Sequence, residues 1–131
     1  VSGSEPGCRF CLANELLSDR PILETEHFYM LASIDPVVPV AGMVIPKRHS
    51  VDPFEMNGEE WADFANALAA AKAHFEDHKP AGFTLGWNVG AVGGQHVFHT
   101  HLHIIPRFEG EPNQGVGIRR IFRPADWRPA N

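Results

Sequence analysis

The sequence is short of several things, and each shortage removes a class of function. No apolar run approaches the roughly 20 residues that cross a bilayer, and no basic-then-apolar stretch of secretory type opens the chain. A cytoplasmic location and no membrane partner are therefore expected. Positive charge is in deficit, with 11 Lys and Arg against 16 Asp and Glu and a net charge of −5. Nothing in that balance draws nucleic acid or an anionic membrane surface, so an anionic substrate has to be held by local devices. There are only two cysteines, Cys8 and Cys11. Spaced C-x-x-C in a reducing cytosol, they read as a metal half-site or a redox pair before a structural disulfide. Internal repeats, low-complexity blocks and long linkers are absent.

What remains is a chain of 131 residues with 44% hydrophobic content, the size of one domain and able to bury a core without covalent staples. Residues 1–7, which begin Val1-Ser2-Gly3-Ser4, are expected to form a flexible tail, and residues 8–131 a single domain. Leu12 to Leu17 predicts a short helical turn. Residues 22–32 predict two short strands broken near Thr25-Glu26, and Gly42-Met43-Val44-Ile45 a buried strand ended by Pro46. Asp35-Pro36 to Val40 reads as a turn or bulged loop, because Pro36 and Pro39 offer no ladder donors. From Asn57 to about His78 the apolar period becomes helical, with Trp61, Phe64, Leu68 and Phe75 as the expected core stripe or dimer face. Asn57 can cap this helix, Glu59 and Glu60 suit the positive end of its dipole, and His78-Lys79-Pro80 ends it. Phe83 to Val89 predicts a further strand and Gly90 to Gly94 a glycine-rich connection. Strands dominate, one long helix packs on them, and the connections suit antiparallel pairing, an α+β arrangement.

Chemistry concentrates just after that connection, in Gly94-Gln95-His96-Val97-Phe98-His99-Thr100-His101-Leu102-His103-Ile104-Ile105. As a strand, this stretch sets His99, His101 and His103 in a row on one face and leaves Val97, Leu102 and Ile104 to hold it in a core. Asn88 ends the preceding strand and can come near the row, while amides around Gly93 and Gly94 can approach an anion because no Cβ blocks them. A histidine so placed can attack phosphorus if its other ring nitrogen is hydrogen-bonded. On spacing alone such a row is more often a metal pair or an exposed polar face than a nucleophile.

The segment from Gly93 to Arg107 resembles the signature of the histidine triad (HIT) family, H-φ-H-φ-H-φ-φ with φ apolar. Val44-Ile45-Pro46-Lys47-Arg48-His49 is similar to the family's V-I-P-K-x-H segment, and Gly86-Trp87-Asn88-Val89-Gly90 to its N-x-G strand end; the similarity covers residues 8 to 107 in order and spacing. The resemblance implies a HIT-like α+β fold, an antiparallel sheet of about five strands with one long and one short helix, and a homodimer. It also implies hydrolysis or transfer at the α-phosphate of dinucleoside polyphosphates or nucleoside phosphoramidates, through a covalent nucleotidyl-histidine and without an organic cofactor. A small-molecule nucleotide is then the expected partner.

Carried over residue by residue, His101 would be the nucleophile, His103 a donor to a non-bridging phosphate oxygen, and His99 an orienting or structural residue behind them. Asn88 and Gln95 would contact phosphate or leaving group beside Gly93 and Gly94. His96 falls where related hydrolases carry a small hydroxyl residue and could act as a general acid. Ser33, where relatives carry Asp or Asn, would bind ribose hydroxyls. Some branches hold zinc on an N-terminal C-x-x-C, the histidine after I-P-K-x and the first triad histidine. Here these are Cys8, Cys11, His49 and His99, a donor set that suits tetrahedral structural zinc.

The chain departs from the pattern at Ala41, where a supporting histidine is expected, and at Thr100, where an apolar residue is; a β-branched threonine still suits a strand. Lys47-Arg48 reads as a solvated pair, and Arg119, Arg120, Arg123 and Arg128, with Trp127, as a basic tail that could fold over an active site. Two rival readings stand beside the hydrolase: a noncatalytic purine-nucleotide-binding module of the same fold, and a metal-dependent enzyme whose three histidines form a tripod.

Overall fold

The computed structural model describes residues 3–33, 40–122 and 129. The loop expected over residues 35–39 and the tail residues Arg123, Trp127 and Arg128 lie outside them. Five strands form one antiparallel sheet: β1 (Leu23–Glu24), β2 (Phe28–Ala32), β3 (Gly42–Pro46), β4 (Gly82–Trp87) and β5 (Leu102–Arg107), in the order β1-β2-β3-β5-β4. One long helix, α1 (Gly58–Phe75), joins β3 to β4. The α+β architecture read from the sequence is the one observed. The short helical pieces are single 3-10 turns, at Leu12–Asn14, Pro53–Glu55, Glu76–His78 and Ile118–Phe122. No helix among the described residues is long and apolar enough to cross a membrane.

Insertion of β5 between β3 and β4 is the step that builds the site. Met43 and Gly86 both pair with His103, from opposite sides. Strand alternation then sorts the sheet into two faces. Phe28, Met30, Val44, Leu102 and Ile104 meet Ala67, Ala71 and Phe75 of α1. Tyr29, Leu31, Met43 and Ile45 face the other way and are covered by Phe10, with Cys8, Leu12, Leu17 and Val97 around it. The N-terminal segment therefore closes the second face, and the Tyr29 hydroxyl holds it there by donating to the Phe10 carbonyl at 2.5 Å.

Helix α1 starts as expected. Asn57 Oδ1 accepts from the Glu60 amide at 2.8 Å, and Glu60 Oε1 accepts from the Asn57 amide at 2.9 Å, a reciprocal capping box. The buried stripe differs from the expected one: it runs through Glu60, Asp63, Ala67, Ala71 and Phe75, whereas Trp61 is 44% exposed and Phe64 and Leu68 are partly buried. Alanines let the helix approach the sheet closely, so the bulky residues are displaced to its flank. There Phe64 and Trp87 pack with ring centroids 5.6 Å apart, and Trp61 lies 6.1 Å from Trp87.

The two buried acids are tolerated because each is fully engaged. Glu60 pairs with Arg48, at 2.7 Å to one guanidinium nitrogen and 3.2 Å to another. Asp63 accepts from Thr25 Oγ1 at 2.7 Å, from the His27 amide at 2.8 Å and from Asn66 Nδ2 at 3.2 Å. Burial pushes the Asp63 pKa up, but these donors outweigh it and hold it below the ordinary 3.8. A lowered folded pKa gives stability that is present above the unfolded value and is lost as pH falls through the folded one. Asp63→Asn is thus expected to cost about 1–3 kcal/mol at neutral pH. It should also make the melting temperature less sensitive to acid below about pH 4. Parallel melting curves for variant and wild type across that range would contradict the assignment.

Candidate active site and metal centre

The histidine stretch is a strand only in its second half. β5 begins at Leu102, so His99, Thr100 and His101 precede the ladder and only His103 lies within it. The expectation of three equivalent imidazoles on one strand face is corrected accordingly. Two local interactions pull the chain off the sheet. The Thr100 amide donates to the Ser50 carbonyl at 2.7 Å, and the two hydroxyls, both buried, bond at 2.7 Å. Thr100 is thus a polar clasp to the loop after β3, and an apolar residue here would leave Ser50 without its partner.

His99 is fully buried and turned toward the N-terminal segment. Its Nε2 lies 2.7 Å from the Pro46 carbonyl. A carbonyl only accepts, so Nε2 carries the proton and Nδ1 presents a lone pair. That lone pair meets Cys8 Sγ at 3.4 Å and Cys11 Sγ at 3.5 Å, and His49 Nδ1 lies 3.4 Å from Cys11 Sγ. The four ligand atoms are all within 4.8 Å of one another. A tetrahedron built on Zn–S of about 2.3 Å and Zn–N of about 2.0–2.1 Å has sulfur–nitrogen edges of about 3.5–3.6 Å. Cys8, Cys11, His49 and His99 therefore form a cluster that can hold a metal ion. It is the only such grouping among the described residues, and His101 and His103 are not part of it, against the tripod reading.

The backbone around the cluster explains its position. The C-x-x-C leads into the 3-10 turn Leu12–Asn14, and Asn14 Nδ2 donates to the Cys8 carbonyl at 2.9 Å and to the Glu5 carbonyl at 2.8 Å. The Glu5 amide points at Cys11 Sγ at 3.4 Å, and the His49 amide donates to the Gly3 carbonyl at 2.5 Å. Burial pushes the Cys11 thiol pKa up. A bound cation reverses that preference, since a coordinating thiol is deprotonated.

His101 occupies a second environment. It is 8% exposed, with its ring 5.1 Å from Phe10 edge-on and 5.0 Å from His103. Its Nδ1 bonds the His99 carbonyl at 2.8 Å. By the same donor argument Nδ1 holds the proton and Nε2 is left as a lone pair, which is the form a nucleophilic histidine requires. Burial lowers its pKa against the opposing effect of that hydrogen bond, and burial also lowers that of half-buried His103. Both rings are consequently favoured in the neutral form. Phe10, 1% exposed, is the wall between the two centres, 6.2 Å from the His99 ring and 5.1 Å from that of His101.

The other expected residues divide. Asn88 is exposed and follows Trp87, the partner of Leu102, so it stands across from His101 at the end of the sheet. Gly94, with φ of 95°, takes a left-handed backbone conformation that a side chain would strain, and it packs beside the Asn88 carboxamide. The amides of Gly93 and Gly94 donate to the Gly90 and Ala91 carbonyls. They shape the loop and are not left free for an anion as the sequence suggested. Gln95 is buried, accepting from the Gly90 amide at 2.9 Å and donating to the Val51 and Val97 carbonyls at 2.5 and 3.1 Å. Its amide braces the loop from inside. His96 is exposed and lines a groove with Cys8 and Arg9.

Ser33 follows β2, and its amide donates to the Ala41 carbonyl at 3.0 Å. It is two residues beyond Leu31, the partner of Met43, which places it on the His103 face. Ala41 is itself buried, and the rings against His101 are Phe10 and His103. Lys47 and Arg48 are both paired, with Glu24 at 3.2 Å and Glu60 at 2.7 Å. Ile118 reaches over Gly86, the register partner of His103, so the C-terminal segment returns across this face. Phe10, Ser50 and the Pro46 carbonyl went unrecognised in the sequence, although an aromatic residue between two cysteines is a signal for a packed metal loop.

Gly93 permits a test. A Cβ there would lie 2.3 Å from the Val89 carbonyl oxygen. Gly93→Ala should therefore force the loop open and lower stability by about 1–3 kcal/mol. Thermal denaturation checks this, and an unchanged melting temperature would show that the loop is not packed as described.

The fold and site together are an open antiparallel α+β sheet with a backbone-oriented histidine at its end and a cysteine–histidine cluster behind it. The HIT domain matches residues 16–110, and the chain belongs to that family. It is 34% identical over 127 residues to the protein named Protein hit of Bacillus subtilis, covering 93% of this chain and 84% of that one. It is 33% identical over 95 residues to a bis(5'-adenosyl)-triphosphatase of Dictyostelium discoideum (70% and 64% coverage). It is 31% identical over 96 residues to an adenosine 5'-monophosphoramidase of Schizosaccharomyces pombe (73% and 70%). Among solved structures, a HIT family protein of Bacillus anthracis superposes with a TM-score of 0.73 at 32% identity, covering 96% of this chain and 84% of that one.

Proposed function

We propose that the protein is a nucleotide hydrolase or nucleotidyltransferase that acts at the α-phosphate of dinucleoside polyphosphates or nucleoside phosphoramidates. The observation that carries this reading is the Nδ1–H bond from His101 to the His99 carbonyl, which fixes the tautomer with Nε2 unprotonated. Nε2 attacks the α-phosphorus, the bond to the leaving group breaks, and the electron pair departs on the bridging atom. Water then attacks the same phosphorus and returns the ring to its starting form, releasing a nucleoside monophosphate. His103 and Asn88 are the groups that contact the non-bridging oxygens, Ser33 the ribose. Stabilisation of charge in the transition state falls to such fixed donors. Relatives that carry the names triphosphatase and phosphoramidase support this substrate range.

The residues Cys8, Cys11, His49 and His99 fit zinc by donor type and spacing. Zinc would supply a tetrahedral cross-link that ties the N-terminal segment to the loop after β3 and to His99. The homodimer belongs to the same reading, with β4 as an open edge and the exposed Trp61 flank beside it, as does a reducing, cytoplasmic compartment that keeps the thiols free. Incubation with diadenosine triphosphate and with adenosine phosphoramidate, followed by acid quench and intact-mass analysis, tests the proposal. Adenosine monophosphate release with transient protein bearing one adenylyl group is expected. Tight nucleotide binding with no turnover would assign the chain to the noncatalytic purine-nucleotide-binding modules instead.

A further inference from the structure

We propose that the groove beside the metal cluster is the leaving-group subsite, in which Arg9, with His96 next to it, receives the anionic end of a departing nucleoside polyphosphate. The inference rests on the nucleotidyl-transfer reading and deepens it, because it assigns a preference among leaving groups. The groove encloses about 980 Å³ between the C-x-x-C segment and the stretch before β5, and Cys8, Arg9, His49, His96, Val97 and Phe98 line it. That is room for a nucleotide, since small-molecule sites span about 300–1,000 Å³.

Arg9 is exposed, and its guanidinium carbon lies 5.2 Å from the centroid of Phe10, whose ring is 5.1 Å from His101. Lys47, Arg48, Lys72 and Arg107 each have a carboxylate within 4 Å. Arg9, like Arg20, Arg119 and Arg120, has none among the described residues, and its guanidinium lies over the Phe10 ring. Of the acids around the groove, Glu55 is held by the Val51 amide at 2.6 Å, and Glu5 lies on the rim. Asn14 clamps the Cys8 carbonyl and so holds the backbone of the turn that carries the two thiols and Arg9, which lowers the ordering cost of using that turn.

Leaving-group chemistry makes the distinction. When His101 Nε2 forms its bond to the α-phosphorus of a dinucleoside polyphosphate, the P–O bond to the bridging oxygen breaks and the pair stays on that oxygen. The departing nucleoside polyphosphate gains one negative charge and takes no proton, so a fixed cation is what stabilises it. A phosphoramidate breaks a P–N bond, and the amine nitrogen that leaves takes a proton. A guanidinium, permanently charged, has none to give.

The test compares wild type, Arg9→Gln and Arg9→Lys on diadenosine tetraphosphate and on adenosine phosphoramidate, which share the transferred adenylyl group. For Arg9→Gln the ratio of the two kcat/KM values should move toward the phosphoramidate by about 10- to 100-fold, the effect of losing a charge-assisted contact. Arg9→Lys should recover part of that ratio. Calorimetric titration with inorganic tripolyphosphate should show binding to wild type that weakens at least tenfold in Arg9→Gln. This second measurement needs no turnover: a protein inert toward every nucleotide yet binding tripolyphosphate through Arg9 would sink the hydrolase reading and keep the anion subsite. Equal loss on both substrates, or tripolyphosphate affinity that ignores Arg9, overturns the subsite.

Discussion

Replacing His101 with alanine is expected to lower kcat/KM for nucleoside monophosphate release by at least about 10³-fold, because the proposed mechanism passes through its Nε2 as the covalent nucleophile. The adenylylated protein seen by mass should disappear in the same variant. His101 Nε2 is the unprotonated nitrogen of a ring whose Nδ1–H is tied to the His99 carbonyl, and the ring lies outside the metal cluster. A variant that keeps turnover within tenfold of wild type would show that another group attacks phosphorus. Steady-state assays on one phosphoramidate and one dinucleoside polyphosphate decide it.

The second large effect concerns the metal centre. Cys11→Ala, or removal of bound metal by a strong chelator, is expected to cost on the order of 3–5 kcal/mol, less than the roughly 10–16 kcal/mol that zinc supplies to finger peptides with no other core. This protein has two apolar cores of its own. For a chain of this size the loss corresponds to a fall in melting temperature of about 10–20 °C. Activity should fall in step with metal content, since His99 contributes its ring to the cluster and its carbonyl to His101. Metal analysis, melting and turnover on one set of samples test the link. Metal-free protein that melts within a few degrees of wild type would remove zinc from the account, and full activity without metal would break the coupling through His99.

Local signals made much of the fold legible. The break at Thr25-Glu26 separates β1 from β2, Asn57 caps α1 as expected, and β3 ends at Pro46. These features depend on residues within a few positions of one another, which is why composition and period expose them. Of the expected helix stripe, Phe75 lies in the core and Phe64 and Leu68 pack against it, while Trp61 is exposed; hydrophobicity alone does not single out Ala67 and Ala71, which close approach to the sheet buries. Glu60 and Asp63 are buried by partners, Arg48, Thr25 and His27, that no helical period can reveal. The histidine stretch was extended too far as a strand because Thr100 bonds Ser50, 50 residues earlier, in place of a ladder partner. Gln95 was placed on the substrate, yet its amide bonds three backbone groups of its own loop and the Val51 turn.

The sequence by itself determined which residue types are present and in what order: a C-x-x-C, a histidine after I-P-K-x, and three histidines two apart. From these follow the family, the sheet and the list of candidate ligands, because side-chain chemistry and short-range period are written in the chain. The family resemblance already separates the roles of the three histidines, but the positions and hydrogen-bond partners of their rings come from tertiary contacts. Covering one sheet face with the Cys8–Cys11 segment turns His99 toward two thiols, and insertion of β5 between β3 and β4 leaves His103 on the ladder and His101 beside it. The physical reason is that hydrogen-bond partners assign the tautomers. His99 donates its Nε2–H to the Pro46 carbonyl and His101 its Nδ1–H to the His99 carbonyl, so neighbouring imidazoles of identical chemistry are left with opposite nitrogens unprotonated, Nδ1 in His99 and Nε2 in His101.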